Sequence, residues 1–423
     1  MKWLFSLLIL VLTSQLVRSE ATEERVWTST AQTTITGQAL SLANNQVTFE
    51  TTDGRKLTVP LNKLVSEDQA FLKKHFAGKL PSLPALPAPP NLPYEQGKVH
   101  GPIDTGQGSS YYLYLPKSLS AEYPAPLFLW TGSAPSRAGA LNHFIEGAEL
   151  TGMVIAASVE SCNKNRGPIS NTEHAGNCLE HLEQTLPVEP GRYFFCGQSG
   201  GGAEAFVNAD TYKSVGVFSY VAYIPEGKLP KYCDYVYAAG GAWDYNRYLS
   251  AYAAQCAGKN GTHRLYPGGH RTDRGEVPTE GMCWLYTREL YDNLEGREME
   301  QRRFEDRFLR YLRDDLQSNK PHLAYYWCDH LLEACEIEGQ FASLVEEISQ
   351  SLAPTQQRYL DGRKALDEFS DDHFAKHGES TGSKMKHSTA SIKSAAKKLE
   401  EEFAGVVDIA ETAAELQKPT AGN

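Results

Sequence analysis

The feature that most limits how this chain can fold is an alternation, between residues 98 and 292, of short apolar runs with stretches compatible with helix. The runs Tyr111–Tyr114, Pro126–Thr131, Met153–Val159, Arg192–Cys196, Val215–Val221, Tyr235–Gly240 and His263–Tyr266 read as strands, and Ala138–Gly147, Cys178–Thr185, Ala203–Ala209 and Tyr248–Cys256 read as helices between them. Strands joined through helices argue for an α/β sheet, parallel for the most part, with helices on both faces.

One strand-to-helix step in that region carries chemistry. Gly197-Gln198-Ser199-Gly200-Gly201 follows the apolar strand Tyr193-Phe-Phe-Cys196 directly and precedes the helix-compatible Gly202-Ala-Glu-Ala-Phe206. Glycines on both sides of a serine let a tight turn hold it in a strained backbone conformation and lift its hydroxyl clear of the sheet. The alternative is a Gly-rich turn in which Ser199 caps the helix. A serine hydroxyl is a weak nucleophile at neutral pH, so it needs an imidazole base and a carboxylate to fix that base's tautomer. Downstream, Asp244 closes Gly240-Gly-Ala-Trp-Asp244 and His270 closes Leu265-Tyr-Pro-Gly-Gly-His270, each just beyond a strand. Open α/β sheets place their sites at such strand ends. Asp244 also fits a helix cap, with Asp234, Asp210 and Asp273 as weaker substitutes for the acid. His263 lies inside a predicted strand, a poorer place for a base than the loop position of His270.

The order Ser199, Asp244, His270 and the strand pattern around it resemble the α/β-hydrolase superfamily over about 195 residues, and within it exported esterases of the polyester-depolymerase and feruloyl-esterase sort. The resemblance implies nucleophilic attack by Ser199 on an ester carbonyl, proton transfer through His270 supported by Asp244, and no cofactor or metal. It also implies an oxyanion hole from the backbone N–H of Gly200 and one from Gly132 or Ser133, worth about 3 to 4 kcal/mol in comparable sites. The loop Trp130-Thr-Gly-Ser133 departs from the usual His-Gly-Gly run, and little sequence is left for a lid between Gly202 and Tyr235. A lidless site favours a polymeric or small polar ester over a buried lipid chain.

The flanks read differently. Residues 22–78 hold short alternating runs, Gly37–Ser41, Gln46–Glu50 and Lys56–Leu61, broken by Asn44-Asn45 and Asp53-Gly54, which predict tight hairpins and a small β barrel. Ser66-Glu-Asp68 reads as a cap before a helix Gln69–Phe76. Arg25-Val-Trp27, Val47-Thr-Phe49, Asp53-Gly54-Arg55, Val59-Pro60-Leu61 and Leu64-Val-Ser-Glu-Asp68 resemble the SHD1 domain, first named in an actin-patch adaptor and also found in exported bacterial proteins. That likeness implies an SH3-like barrel and a protein or peptide partner. A linker at 79–97 follows, with six prolines between Pro81 and Pro93, a composition that forms a stiff spacer. Residues 293–423 turn charged and helical, with expected helices Glu298–Gln317, Leu323–Leu352, Thr355–Phe374 and Ser388–Gln417, a polar break at Gly378–Lys386, and a last helix placed as a loosely attached arm.

Lys2, the apolar run Trp3–Leu12 and the small residues Val17 and Ser19 fit an export signal cleaved after Ser19. No later stretch approaches the roughly 18 apolar residues of a membrane span. The expectation is an exported, soluble protein, periplasmic or secreted, without integral membrane association. A net charge of -11 opposes nucleic acid as a partner. All eight cysteines lie between Cys162 and Cys335 with no metal-like spacing, and Cys162 and Cys178, flanking a polar loop, are the expected disulfide. Cys328 and Cys335 would lie about 10 Å apart on one helix, too far to bond. Asn260-Gly-Thr262 matches a glycosylation acceptor, a pattern that chance supplies readily. Two other classes remain in view: a non-catalytic binding protein with a degenerate hydrolase unit, and an exported serine peptidase on the same scaffold.

Overall fold

A computed structural model of the chain describes residues 21–43, 46–76, 91–272, 275–352, 356–375 and 390–418. The export signal, the Asn44-Asn45 turn, most of the Pro81–Pro93 stretch and the Gly378–Lys386 break lie outside the described residues. Two compact units emerge, one from residues up to 86 together with 328–351, the other from 87–327 together with 352–423. No helix among the described residues is long and apolar enough to cross a membrane.

The first unit contains an antiparallel sheet in the order β1 (Arg25–Thr28), β2 (Thr34–Ala43), β3 (Gln46–Thr51), β4 (Lys56–Pro60), with a further bridge between Ser29 and Leu64. Alternation puts Trp27, Ala39, Val47 and Phe49 on one face, where Leu72 and Phe76 of helix α1 (Ser66–Phe76) join them in one apolar cluster. The helix begins three residues earlier than expected. Asp68, read as part of its cap, is buried and turned toward β1, where its carboxylate accepts the Thr28 N–H at 2.7 Å and the Arg25 guanidinium at 2.9 Å. The expected helix Leu323–Leu352 is interrupted: Pro321–Asp329 and Gly339–Leu352 are separated by a π turn at His330–Ala334 and by Glu336, whose φ of 49° no helix tolerates.

The second unit is built on eight strands: β5 (Val99–Asp104), β6 (Ser110–Tyr114), β7 (Ala125–Thr131), β8 (Val154–Ser158), β9 (Val188–Gln198), β10 (Gly216–Tyr220), β11 (Tyr235–Gly241) and β12 (Gly261–Tyr266). Their order is β12-β11-β10-β9-β7-β8-β6-β5. The strands β7 to β12 are parallel, while β6 runs antiparallel to β8 and β5 antiparallel to β6, so the sheet is mixed rather than parallel throughout. The short connection 105–109 permits only a hairpin there, whereas every parallel step is bridged by a longer crossover. Gly101-Pro102 interrupts the alternation of β5, so the sequence pattern does not announce this strand.

Residues alternate across the sheet. Leu127, Leu129, Phe195, Val217 and Val236 belong to one cluster with Ala175, Cys178 and Leu182 of α3 (Asn171–Thr185), Ala205 and Phe206 of α4 (Gly200–Tyr212) and Ala253 of α5 (Arg247–Cys256). On the other face Phe128, Phe218 and Tyr237 meet Phe144, just before α2 (Ile145–Thr151), and Trp284 of α6 (Val277–Asp292). Helix α3 starts at a capping box in which Ser170 and Glu173 satisfy each other's backbone N–H groups.

All eight cysteines are free, which corrects the expected Cys162–Cys178 bridge. Asn171 closes that loop instead, its side chain accepting the Cys162 N–H at 3.2 Å and donating to the Cys162 carbonyl at 3.0 Å. Cys178 lies seven residues further along α3, about 10 Å of rise, and faces the core.

The last helices, from Gln357 onward, pack within this unit. In helix Gln357–Ser370, Arg363 spans both carboxylate oxygens of Glu280 on α6, at 2.7 and 3.1 Å, and Ser370 reaches His263 of β12 at 3.2 Å. The expected single helix Ser388–Gln417 is two, Ala390–Glu402 and Ile409–Leu416, parted by Gly405 and Asp408 at positive φ. Ile409 and Phe403 lie against Gly362, so the loosely attached arm is a packed element.

Candidate active site

The fifth strand of the large sheet, β9, ends at Gln198 and helix α4 begins at Gly200. Ser199 between them has φ 56° and ψ −123°, a conformation that costs a side-chain-bearing residue about 1 to 3 kcal/mol. It is held there by its own N–H, which donates to the Tyr220 carbonyl of β10 at 2.9 Å. Its hydroxyl makes no capping bond to α4, which disposes of the helix-cap alternative. Thr131 at the end of β7 donates to the carbonyls of Cys196 and Gly201 at 3.1 and 2.8 Å and so ties the neighbouring strand to the turn. A side chain at Gly201 would collide with the Thr131 carbonyl, and one at Gly200 would collide with the Asn163 amide. Those two glycines are what allow the β7 loop and Asn163 to lie directly on the first turn of α4.

Asp244 follows β11, the seventh strand, and is 0% exposed. One carboxylate oxygen, Oδ1, accepts the Asn246 N–H at 3.0 Å and contacts His270 Nδ1 at 3.0 Å. The other, Oδ2, is buried without a partner among the described residues. Helix α5 starts after Asn246 with no side-chain cap, so Asp244 does not serve that helix as a cap.

His270 follows β12, the eighth strand, through Pro267-Gly268-Gly269. The acid and base loops are stitched together by Ala242 N–H to the Tyr266 carbonyl at 2.9 Å and Trp243 N–H to the Gly268 carbonyl at 3.0 Å. The imidazole, its side chain 20% exposed, thus spans two groups: Nδ1 to Asp244 at 3.0 Å and Nε2 to Ser199 Oγ at 2.8 Å. A carboxylate only accepts, so Nδ1 carries the ring proton and Nε2 presents its lone pair to the serine O–H. Chemically, that is a hydroxyl hydrogen-bonded to a base whose developing charge would face a buried carboxylate.

The remaining sequence-derived residues are placed as follows. Gly200 is the first residue of α4, and Gly132 and Ser133 form the loop after β7, which the Asn163 N–H joins by donating to the Ser133 carbonyl at 3.1 Å. Asp210 accepts the Lys231 N–H at 3.1 Å near the far end of α4, and Asp234 precedes β11, at the strand end opposite Asp244. Asp273 lies outside the described residues. His263 is buried within β12, and burial pushes its imidazole down to about 3, which keeps it neutral. Sequence reasoning missed Tyr245, whose hydroxyl lies 3.1 Å from His270 Nε2, along with Asn163 and the anchoring role of Thr131. None of these three carries a spacing signal; each depends on loops distant in sequence meeting in space.

No protein-family model and no curated protein matches the chain. Solved structures to which it is similar include an S-formylglutathione hydrolase from Agrobacterium tumefaciens, 14% identical with a TM-score of 0.33 over 44% of this chain and 93% of that one. An esterase from Pyrobaculum calidifontis is 12% identical with a TM-score of 0.37 over 46% of this chain and 86% of that one. An acetyl xylan esterase from Aspergillus awamori is 11% identical with a TM-score of 0.35 over 44% of this chain and 99% of that one.

Proposed function

We propose that this chain is an exported serine hydrolase of the α/β-hydrolase type that cleaves carboxylic esters through an acyl-enzyme intermediate. The observation that carries the reading is the unbroken line from Asp244 Oδ1 to His270 Nδ1 at 3.0 Å and from His270 Nε2 to Ser199 Oγ at 2.8 Å, with Ser199 on a strained strand-to-helix turn. The positions of the three residues, after the fifth, seventh and eighth strands of the sheet, support it further.

In this mechanism Ser199 Oγ attacks the ester carbonyl carbon while its proton passes to His270 Nε2. The carbonyl oxygen becomes an oxyanion, for which the Gly200 N–H and an N–H of the Gly132-Ser133 loop are the proposed donors. The imidazolium faces the buried Asp244 carboxylate and is stabilised as it forms. Collapse of the tetrahedral intermediate returns the Nε2 proton to the departing alcohol and leaves an acyl-serine. Water, activated by the same nitrogen, attacks that acyl group and restores Ser199.

The short 203–234 segment, taken up by the rest of α4, β10 and their connections, leaves little sequence for a lid, consistent with a polymeric or small polar ester. The four-stranded N-terminal sheet and its Ser29–Leu64 bridge are compatible with an SHD1-like barrel, and the resemblance of its sequence to that domain is what suggests a protein or peptide partner. A serine-directed fluorophosphonate is the test. Wild-type protein is expected to be labelled and Ser199→Ala is not; labelling that persists in the variant, or is absent from both, rejects the catalytic reading in favour of a binding protein. Faster turnover of amide than ester reporters would move the assignment to a peptidase.

A further inference from the structure

The imidazole of His270 has a third neighbour that the triad does not require. Tyr245 follows Asp244 directly in the chain, and its ring lies on the imidazole with centroids 4.4 Å apart and planes inclined by 23°. Its hydroxyl oxygen is 3.1 Å from Nε2, the same nitrogen that Ser199 Oγ approaches at 2.8 Å. This placement is built in. On one side Asp244 is fixed by His270 and the Asn246 N–H; on the other, buried Asn246 donates its amide to the Val221 carbonyl at 2.8 Å. Tyr245 is therefore held between two anchored residues, in the step that joins the acid loop to α5.

With Nδ1 protonated toward Asp244, Nε2 has one lone pair, in the plane of the ring. The shorter contact, from Ser199, takes it. Tyr245 is stacked on the face of the imidazole, so what it brings to Nε2 is the electron-rich side of a phenol: the π face and the lone pairs of the oxygen. Both interact weakly with a neutral imidazole and attract a cationic one. Nε2 becomes cationic only once it holds the Ser199 proton, so this attraction grows along the reaction.

We infer that Tyr245 is a positioning residue that fixes the plane of the His270 imidazole and stabilises the imidazolium formed as Ser199 attacks; the inference rests on the serine-hydrolase reading above. Tyr245 keeps its own proton throughout, since the transferred proton travels from Ser199 Oγ to Nε2 and on to the leaving alcohol.

The experiment compares wild type, Tyr245→Phe and Tyr245→Ala, using fluorophosphonate labelling and the pH dependence of p-nitrophenyl acetate hydrolysis. All three proteins are expected to label. Loss of the oxygen alone should lower kcat about 3- to 10-fold and loss of the whole ring about 10- to 100-fold, with KM changed less than about 2-fold. The acid limb of kcat/KM reports the base in the free enzyme. An imidazole stripped of its cation-stabilising neighbour is harder to protonate, so that limb should move to lower pH in Tyr245→Phe and further in Tyr245→Ala. A limb that stays put or moves up in Tyr245→Phe overturns the inference, as does a raised KM with unchanged kcat, which would mark a substrate contact. If wild-type protein is not labelled, the serine-hydrolase reading itself fails; labelled wild type with an unmoved limb removes the role of Tyr245 alone.

Discussion

Two buried carboxylates in the same unit, Glu280 and Asp244, are treated in opposite ways. Glu280 on α6 is saturated: Arg363 grips both its oxygens, Arg264 lies at 3.9 Å and the Tyr237 hydroxyl donates at 2.8 Å. Burial alone would raise its pKa, but the two guanidiniums overcome that and hold it below the usual carboxylate range. Asp244, equally buried, has an imidazole and a backbone N–H on one oxygen and no partner among the described residues on the other. Permanent cations make Glu280 a fixed structural joint between α6 and the helix Gln357–Ser370. A carboxylate left unsaturated in this way pairs most strongly only once its neighbour becomes charged, which is what the proposed role of Asp244 requires and a structural joint does not.

Neutralising each carboxylate with its isostere separates the two roles. Asp244→Asn should lower kcat about 10⁴-fold, because the imidazole loses both its tautomer preference and its counter-charge, while thermal denaturation stays near wild type. Glu280→Gln should do the reverse: two buried guanidiniums lose their counter-ion and stability falls by about 3 to 5 kcal/mol in denaturant titrations, with turnover per folded molecule little changed. If Asp244→Asn instead destabilises the fold and leaves kcat intact, the contrast is wrong.

A third carboxylate sharpens the comparison through pH. Glu300 bonds Arg192 at 2.8 Å, Arg297 at 3.0 Å and the Tyr286 hydroxyl at 2.7 Å. Burial opposes its ionisation, but the Arg297 hydrogen bonds and the Arg192 charge prevail and bring its pKa down to about 2 from 4.5. A depressed folded-state pKa contributes stability above the unfolded value that is lost as pH falls through the folded one. Wild type should therefore lose up to about 3 kcal/mol between about pH 4.5 and 2 that Glu300→Gln does not lose over the same range. Parallel curves for the two proteins would deny Glu300 that role. The smallest effect concerns Ser199 itself: Ser199→Gly should abolish labelling yet raise stability by about 1 kcal/mol, read as a small upward shift in Tm, because glycine carries no penalty at φ 56°.

The strands β7 to β12 were legible because most of them are buried apolar runs set between helices, and the strand-end positions of Ser199, Asp244 and His270 were legible from the glycines and loops around them. What escaped the sequence depends on pairing at a distance. The hairpin of β5 and β6 is masked by Gly101-Pro102, and its antiparallel direction follows from the short 105–109 connection rather than from any pattern in the strands. Asp68 resembles a helix cap until its partner strand is known. The docking of Gln357–Ser370 rests on Arg363 finding Glu280, 83 residues away, and no periodicity announces such a pair. Tyr245 is hidden for the same reason, since its partner ring lies 25 positions further along the chain.

In the proposed mechanism His270, oriented by Asp244, makes the hydroxyl of Ser199 nucleophilic. Peptide mapping by mass spectrometry after brief exposure to a fluorophosphonate tests it most directly. One adduct is expected, on the peptide containing Ser199, formed at least about 10³-fold more slowly in His270→Ala. An adduct elsewhere, or one on Ser199 that forms at the wild-type rate without the imidazole, would contradict it.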